Sequence, residues 1–145
     1  MSMTEIFYNL GKHDASMLRN EAKDLTETQI IAREMSIPAF NPQKDYSSWP
    51  VAAPVIDEGQ VWKLIQPHNA ALYEGRPSTL RALWALCHTK DPEKAKLWVD
   101  PYGTSGMYMK DECYKDENGL VWRSLIDDNA YTAAAYPAGW ALVQL

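Results

Sequence analysis

The stretch GQVWKLI at residues 59–65 returns as GLVWRSL at residues 119–125, shifted by 60 positions. Asn69 falls on Asn129 at the same shift, and the tripeptide WAL at residues 84–86 falls on WAL at residues 140–142. Because the matches keep one order and the shift changes only at turn-like positions, they indicate an internal duplication.

The repeat predicts a hairpin in each copy. Upstream of the shared stretch the shift is 59, so that Asp57-Glu58 falls on Asp116-Glu117 and Trp49 falls on Tyr108. The glycine that follows each acidic pair tolerates positive φ, which suits a tight turn before the returning strand. A final strand with the WAL sequence completes each copy.

The N-terminal region is different, since its apolar residues recur at helical spacing. Asp14 is a candidate N-cap, and Thr26 with Gln29 matches a capping box at the start of a second helix. That helix has to end near Ser36, because Pro38 disfavours a helical residue before it. We expect two short helices, or one that is interrupted at residues 24–25.

These patterns predict a mainly β protein with an N-terminal α segment and two small antiparallel β modules in tandem. The expected organisation is a helical segment at residues 1–37, a first β module at 38–89, a linker at 90–97 and a second β module at 98–145. The helical segment carries apolar residues for which we expect a partner, either the modules, another copy or a larger particle: Ile6, Phe7, Leu10, Met17, Leu18, Ile30 and Ile31.

Composition narrows the functional classes. The formal net charge is −5, and no basic cluster is present, which argues against a nucleic-acid partner. No apolar run approaches the length of a membrane span, and no secretory signal is visible, so we expect synthesis in a cytoplasm. Cys87 and Cys113 are expected to be buried free thiols. Six Trp and eight Tyr against two Phe favour a binding surface.

The first copy, residues 59–69 followed by RALW at 81–84, resembles the family 5/12 carbohydrate-binding modules, which are chitin-binding-like. The second copy resembles a prophage version of that module, through Tyr108, residues 119–124, residues 127–129 and YPAGW at 136–140. Helices followed by two such modules resemble small tail or baseplate proteins of phages. The departures are Ala52 and Asp111, where the family has Gly, and alanines after the last Trp of each copy.

The resemblance implies a carbohydrate site. Trp84 and Trp140 would present ring faces to sugar rings, and Tyr73, Tyr131 and Tyr136 would extend that surface. The adjacent loops would supply polar partners, namely His68, Asn69, Asp128 and Asn129. The alternative is that Trp84 and Trp140 close the core of very small modules. For Trp62 and Trp122, which lie mid-strand, we expect core or inter-module packing.

Catalysis is not expected. The acidic residues of the two turns, 57–58 and 116–117, are predicted to be solvated, where nothing raises the pKa of an acid. No metal or cofactor site is indicated. His68 is expected to make a loop hydrogen bond, and the neighbours Cys87 and His88 are expected to point apart.

The function that the resemblance implies is that of a noncatalytic phage or prophage virion component that recognises surface glycans by aromatic stacking. It would belong to a tail, tail fibre or baseplate, and would bind other virion proteins or itself through the N-terminal helices. The alternative is a purely structural assembly protein or adaptor without sugar binding. An accessory module of an enzyme comes third.

Overall fold

The computed structural model describes residues 2–145, and these residues form a mainly β protein with an N-terminal α segment, as predicted. Two helices come first, α1 at Met3–Glu21 and α2 at Glu27–Ala32. A three-stranded sheet follows, with β1 at Pro54–Asp57, β2 at Gln60–Leu64 and β3 at Trp84–Leu86. A four-stranded sheet contains β4 at Lys96–Leu97, β5 at Cys113–Lys115, β6 at Val121–Ser124 and β7 at Trp140–Val143.

The helices begin where side chains satisfy their free N–H groups. Thr26 and Gln29 form the predicted capping box of α2, with Thr26 Oγ1 accepting from the Gln29 amide at 3.1 Å. The N-cap of α1 is Ser2, which accepts from the Glu5 amide. The prediction that Asp14 is an N-cap is wrong, because Ser2 starts the helix earlier and leaves Asp14 exposed inside it. The short helical turn at Glu34–Ser36 ends before Pro38, as expected.

The helical segment packs on one face of the first sheet by its C-terminal half. Leu18, Ile30 and Ile31 are buried together with Val61 of that sheet and with Cys87, which directly follows β3. The Glu27–Lys63 ion pair at 2.9 Å links α2 to this sheet, and the Glu34–Lys96 ion pair links the helical segment to β4 of the second sheet. The beginning of α1 stays exposed, including the apolar residues Ile6, Phe7, Leu10 and Met17. One part of the predicted apolar surface therefore covers the module, and the other part faces solvent.

Each sheet packs a trio of aromatic rings on its other face, and all of these rings are buried except that of Trp98, which is partly buried. In the first module, Tyr46 packs edge-on against Trp84 at 5.2 Å between ring centroids, and Phe40 does so at 5.8 Å. In the second module, Tyr108 and Trp98 take the same places against Trp140, at 5.4 and 6.2 Å. Burying a ring of this size contributes roughly 4–6 kcal/mol of transfer free energy, so these trios dominate the stability of each small module.

The predicted repeat is confirmed in the backbone. Ala52 N–H donates to the Leu64 carbonyl at 2.8 Å, and Asp111 N–H donates to the Ser124 carbonyl at 2.8 Å. Ala52 and Asp111 both have φ 75°, so both non-glycine residues adopt the left-handed conformation that glycine would adopt more easily. The turn glycines Gly59 and Gly119 have φ 75° and 81°, as the hairpins require.

The repeat begins earlier than the sequence comparison indicates. Lys96–Leu97 was expected to be linker, but it forms β4, which pairs in parallel with β5. In the first module Ala39 bridges Ile56, also in parallel. Each module therefore starts with one parallel segment beside its first hairpin, and residues 96–97 belong to the second module. Because the two segments share no residue types, sequence self-comparison could not align them.

Two of the aligned pairs are wrong in space. The ring that corresponds to Tyr108 is that of Tyr46 and not that of Trp49, since Tyr46 packs edge-on against Trp84 as Tyr108 does against Trp140. The residue that corresponds to Asn129 is His68 and not Asn69. The Tyr46 amide donates to the His68 carbonyl at 2.7 Å, as the Tyr108 amide does to the Asn129 carbonyl at 2.9 Å. Loops of different length shifted both positions.

Candidate functional site

Trp84 and Trp140 do not form an exposed sugar-binding surface. Trp84 is fully buried, and Trp140 is 5% exposed. Trp140 Nε1 also donates to the Tyr131 carbonyl at 2.7 Å, which fixes the ring inside the module. The stacking role predicted for both residues is wrong, because such small modules need these rings to close their cores. The alternative weighed from the sequence, that they are core residues, is confirmed.

The three tyrosines expected to extend that surface are exposed but not assembled. Tyr131 is 65% exposed, and Tyr73 and Tyr136 are about half buried. The Tyr73 ring contacts His68 edge-on at 5.4 Å between centroids. No ring contact joins the three tyrosines to each other within residues 2–145. They cannot act together as one flat binding surface in this arrangement.

The polar side chains of the loops form hydrogen bonds mainly with backbone groups. His68 makes the predicted loop hydrogen bond, with Nδ1 donating to the Gln66 carbonyl at 2.7 Å. Asn69 Oδ1 accepts from the Ala71 amide and caps a short helical turn. Asn129 is buried, and its Nδ2 donates to Ser124 Oγ and to the Gly139 carbonyl, both at 3.0 Å. Asp128 is exposed beside it, with φ 53°. These contacts stabilise the loops and leave the side chains of His68 and Asn129 turned inward.

A groove of about 910 Å³ lies on the second module, between β5, β6 and the loop before β7. This groove combines aromatic, acidic and small residues. Its lining includes Trp98, Tyr114, Asp116, Glu117, Trp122 and Pro137. Its volume lies within the range of small-ligand sites, which are about 300–1,000 Å³ and mostly apolar. We refer to it below as the Trp122 groove.

Hydrogen bonds from the ring nitrogens hold both indoles of the groove in place. Trp122 Nε1 donates to Asp116 Oδ2 at 2.9 Å, and Trp98 Nε1 donates to Asp100 Oδ1 at 2.7 Å. The bond from Trp122 lowers the pKa of Asp116, so this carboxylate is charged at neutral pH. Because the nitrogens are anchored, the rings lose little entropy when a ligand contacts their apolar faces.

In the first module, arginine side chains close the corresponding space. Arg81 lies over the Trp62 ring, with its guanidinium carbon 4.9 Å from the ring centroid. Arg76 binds Asp57 through two hydrogen bonds, at 2.8 and 3.0 Å, and also pairs with Glu58 at 3.1 Å. Trp62 is only 1% exposed, whereas Trp122 is partly exposed. Packing was predicted for both Trp62 and Trp122. Trp62 is a core residue, and Trp122 packs against the core of the second module with one part of its ring while another part lines the groove.

Both acidic turns were expected to be solvated, and this prediction is wrong for part of them. Asp57 is buried and ion-paired, and Asp116 accepts three hydrogen bonds, from the Trp122 indole and from two backbone amides of its own turn. The carboxyl with the most perturbed pKa is Glu112, which sequence reasoning missed. Burial, together with a smaller contribution from the neighbouring Glu27, raises the pKa of Glu112 to about 7. Glu112 does not line the groove, and a single carboxyl in the sequence carries no signal of such burial.

The thiols and the histidine beside them are structural. Cys87 and Cys113 are free and buried, and burial raises the pKa of both, so neither thiol is activated as a nucleophile. The His88 ring stacks on Tyr108 at 3.6 Å, and its Nε2 contacts the Gly106 carbonyl at 2.9 Å. Between residues 2 and 145, no three His, Cys, Asp or Glu side chains group as metal ligands, and no helix is both long and apolar enough for a bilayer.

The sequence did contain a signal for the Trp122 groove. The loop before β7 has Thr132, Ala133 and Pro137 where the corresponding loop of the first module has Arg76, Pro77 and Arg81. Small residues opposite a tryptophan indicate open space, but only once the loops are known to correspond. The backbone shows that they do, since Leu80 N–H donates to the Arg76 carbonyl as Tyr136 N–H does to that of Thr132.

Scanned against protein-family models and searched against curated proteins, the chain matches none of them.

Proposed function

We propose that the chain is a noncatalytic binding protein whose Trp122 groove recognises a surface glycan. The observation that carries the proposal is the groove itself, in which the rings of Trp98 and Trp122 are anchored and the opposite wall is built from small residues. Sugar rings expose apolar C–H faces that stack on such indoles. Because the sugar-binding residues differ from Trp84 and Trp140, this site does not depend on the surface that the resemblance implied.

The setting that we propose is a phage or prophage virion, in a tail, tail fibre or baseplate. The support is the resemblance of the two modules to those of phage tail proteins, together with the projecting start of α1. Phe7 and Leu10 there are 64% and 54% exposed, so this end offers an apolar contact for another virion protein or a second copy. Assembly into a particle would strengthen weak individual sites by multivalency.

The structural adaptor remains the second candidate, and a specific observation favours it. The rings that the resemblance assigned to sugar, Trp84 and Trp140, are buried. Modules that bind no ligand would act as spacers, and the exposed apolar residues of α1 would contact other virion proteins. The two candidates differ in one measurable property, which is ligand binding in the Trp122 groove.

The test is a titration and pull-down with host cell-wall polysaccharide and chitin. Trp122→Ala is compared with Trp49→Ala, which removes a partly buried indole from the first module and serves as the matched control. Circular dichroism first establishes that both variants are folded. We expect binding by the wild type and by Trp49→Ala, and its loss in Trp122→Ala. Absence of wild-type binding to every polysaccharide would leave the adaptor as the answer.

A further inference from the structure

In the first module, guanidinium groups bind the carboxylates of the acidic turn and cover the adjacent indole. Asp57 and Glu58 are held by the guanidinium of Arg76, and the neighbouring Trp62 ring is covered by the guanidinium of Arg81. A cation over an indole beside carboxylates combines charge attraction with the interaction of the cation with the ring face. This arrangement is intramolecular, so the fold itself demonstrates that the site accepts cations.

The second module repeats this arrangement of acids and indole without the two arginines. Asp116, Glu117 and Trp122 correspond to Asp57, Glu58 and Trp62, with the same backbone positions at the end of one strand and in the next. Thr132 and Pro137 stand where the arginines are. Within residues 2–145, no ion pair involves Asp116 or Glu117, and none involves Lys115, which also lines the groove.

We propose that the Trp122 groove binds a cationic group of its ligand over the Trp122 indole, beside Asp116 and Glu117. This inference rests on the proposed glycan function, and it makes the ligand an oligosaccharide that contains an amino sugar with a free, protonated amine. The ammonium group takes the place that a guanidinium takes in the first module.

The shape of the groove favours a chain of sugar rings over a single basic side chain. In the first module one guanidinium is enough to cover Trp62. In the second module, Trp98 stands where the smaller Phe40 stands, and the indole of Trp98 adds a second apolar surface to the groove. Consecutive sugar rings can supply one face for each indole and an amine for the acids, whereas one arginine fills only part of about 910 Å³.

The experiment compares two β-linked glucosamine oligosaccharides of equal length, one fully deacetylated and one fully N-acetylated. Binding to the full chain is followed by tryptophan fluorescence, below the pKa of the amine and at low salt. We expect the deacetylated form to bind about three- to tenfold more tightly, and added salt to remove that preference. Glu117→Gln should weaken its binding by about two- to fivefold. Glu58→Gln, at the corresponding turn of the first module, is the matched control and should change nothing.

The outcomes separate this inference from the proposed function. Equal binding of both oligosaccharides, unaffected by Glu117→Gln, would overturn the cationic subsite and leave glycan recognition in place. Failure of both oligosaccharides and of the cell-wall polysaccharide to bind would overturn both. An arginine-rich peptide is the third probe. If the peptide alone binds and Trp122→Ala abolishes that binding, the groove is a docking site for a basic segment of a protein.

Discussion

The two modules share one backbone and differ in what lies over the tryptophan of their second hairpin strand. Trp62 is covered by Arg81, while Trp122 faces an open groove. Both modules have the hairpin, the left-handed conformation at Ala52 and Asp111, and a packed trio of aromatic rings. They differ in the loop before the last strand and in one ring of the trio, where Trp98 replaces Phe40. A duplicated fold can therefore close or open a site by changing a few side chains while it keeps its backbone.

Energetics explain why such a change is easily accommodated. Arg76 is 52% exposed on its side chain, so solvent screens its ion pairs and they contribute little to stability. The contact of Arg81 with Trp62 contributes about 0.5–2 kcal/mol. The buried Trp84 and Trp140 contribute several times more. Stability is concentrated in the parts that the modules share, and the loop side chains are free to specify binding.

The largest effect is expected from the shared core. Trp84→Ala and Trp140→Ala should each destabilise the protein by about 3–5 kcal/mol, because each leaves a large cavity in a small module. Urea denaturation followed by circular dichroism measures both. A folded variant with nearly normal stability would contradict the burial of that ring, and would return it to consideration as a binding residue.

A second effect should appear in the second module alone. Glu112 occupies the position of Ala53, and the pKa of its carboxyl in the folded state is raised from 4.5 to about 7. Between these values the folded state binds more protons than the unfolded state, so this group makes stability fall as pH rises from about 4.5 to 7. We expect Glu112→Gln to remove that decrease and to gain up to about 3 kcal/mol at neutral pH.

The measurement is urea denaturation at a series of pH values. Glu117→Gln is the control, because Glu117 is exposed and its removal should leave the slope unchanged. The pKa of His88 is lowered by burial, which makes stability fall as pH decreases, so the slope has to be taken as the difference between variant and wild type. An identical pH profile in Glu112→Gln and the wild type would contradict the prediction.

An arginine placed in the groove should cover Trp122, as Arg81 covers Trp62 in the first module. Pro137→Arg places an arginine where the first module has Arg81, and its guanidinium should cover Trp122. We expect ligand affinity to fall by about tenfold, or about 1.4 kcal/mol. Titration by tryptophan fluorescence measures the loss, and Pro137→Ala is the control that leaves the groove open. Unchanged affinity in Pro137→Arg would show that the ligand binds elsewhere.

The smallest effect concerns the hydrogen bonds of the two core indoles. Trp140 Nε1 donates to the Tyr131 carbonyl, while Trp84 Nε1 is buried without a partner in the described chain. Replacement by Phe removes the same ring volume from both positions but a hydrogen bond only from one. Trp140→Phe should therefore cost about 1 kcal/mol more than Trp84→Phe. Equal costs in thermal unfolding would show that the Trp140 bond adds nothing.

Local patterns in the sequence predicted much of the fold. The capping box at Thr26 and Gln29 and the two hairpins at Gly59 and Gly119 are confirmed, because each depends on a few neighbouring residues. The repeat was recognised where residue identities survive. It was missed at Phe40 and Trp98, where only the parallel pairing and the ring contacts reveal the correspondence.

The candidate site could not be predicted in the same way. Trp84, Trp140 and Trp122 are all strand residues with similar neighbours, and nothing local distinguishes a core ring from a groove ring. Their exposure depends on which distant loop packs over them: Arg81 lies 19 residues beyond Trp62, and Pro137 lies 15 residues beyond Trp122. Asp57 was misread for the same reason, since its burial depends on Arg76, which is 19 residues away in the chain.

The sequence by itself determined a mainly β protein with an N-terminal α segment and a repeated hairpin, because hydrogen bonding and turn conformation act over a few residues. Only the tertiary structure decided which tryptophans are core residues and which line a groove. Burial is a property of packing between segments that are far apart in the chain. In this protein the same strand sequence, Val-Trp, is covered in one module and open in the other, and the covering residues determine which.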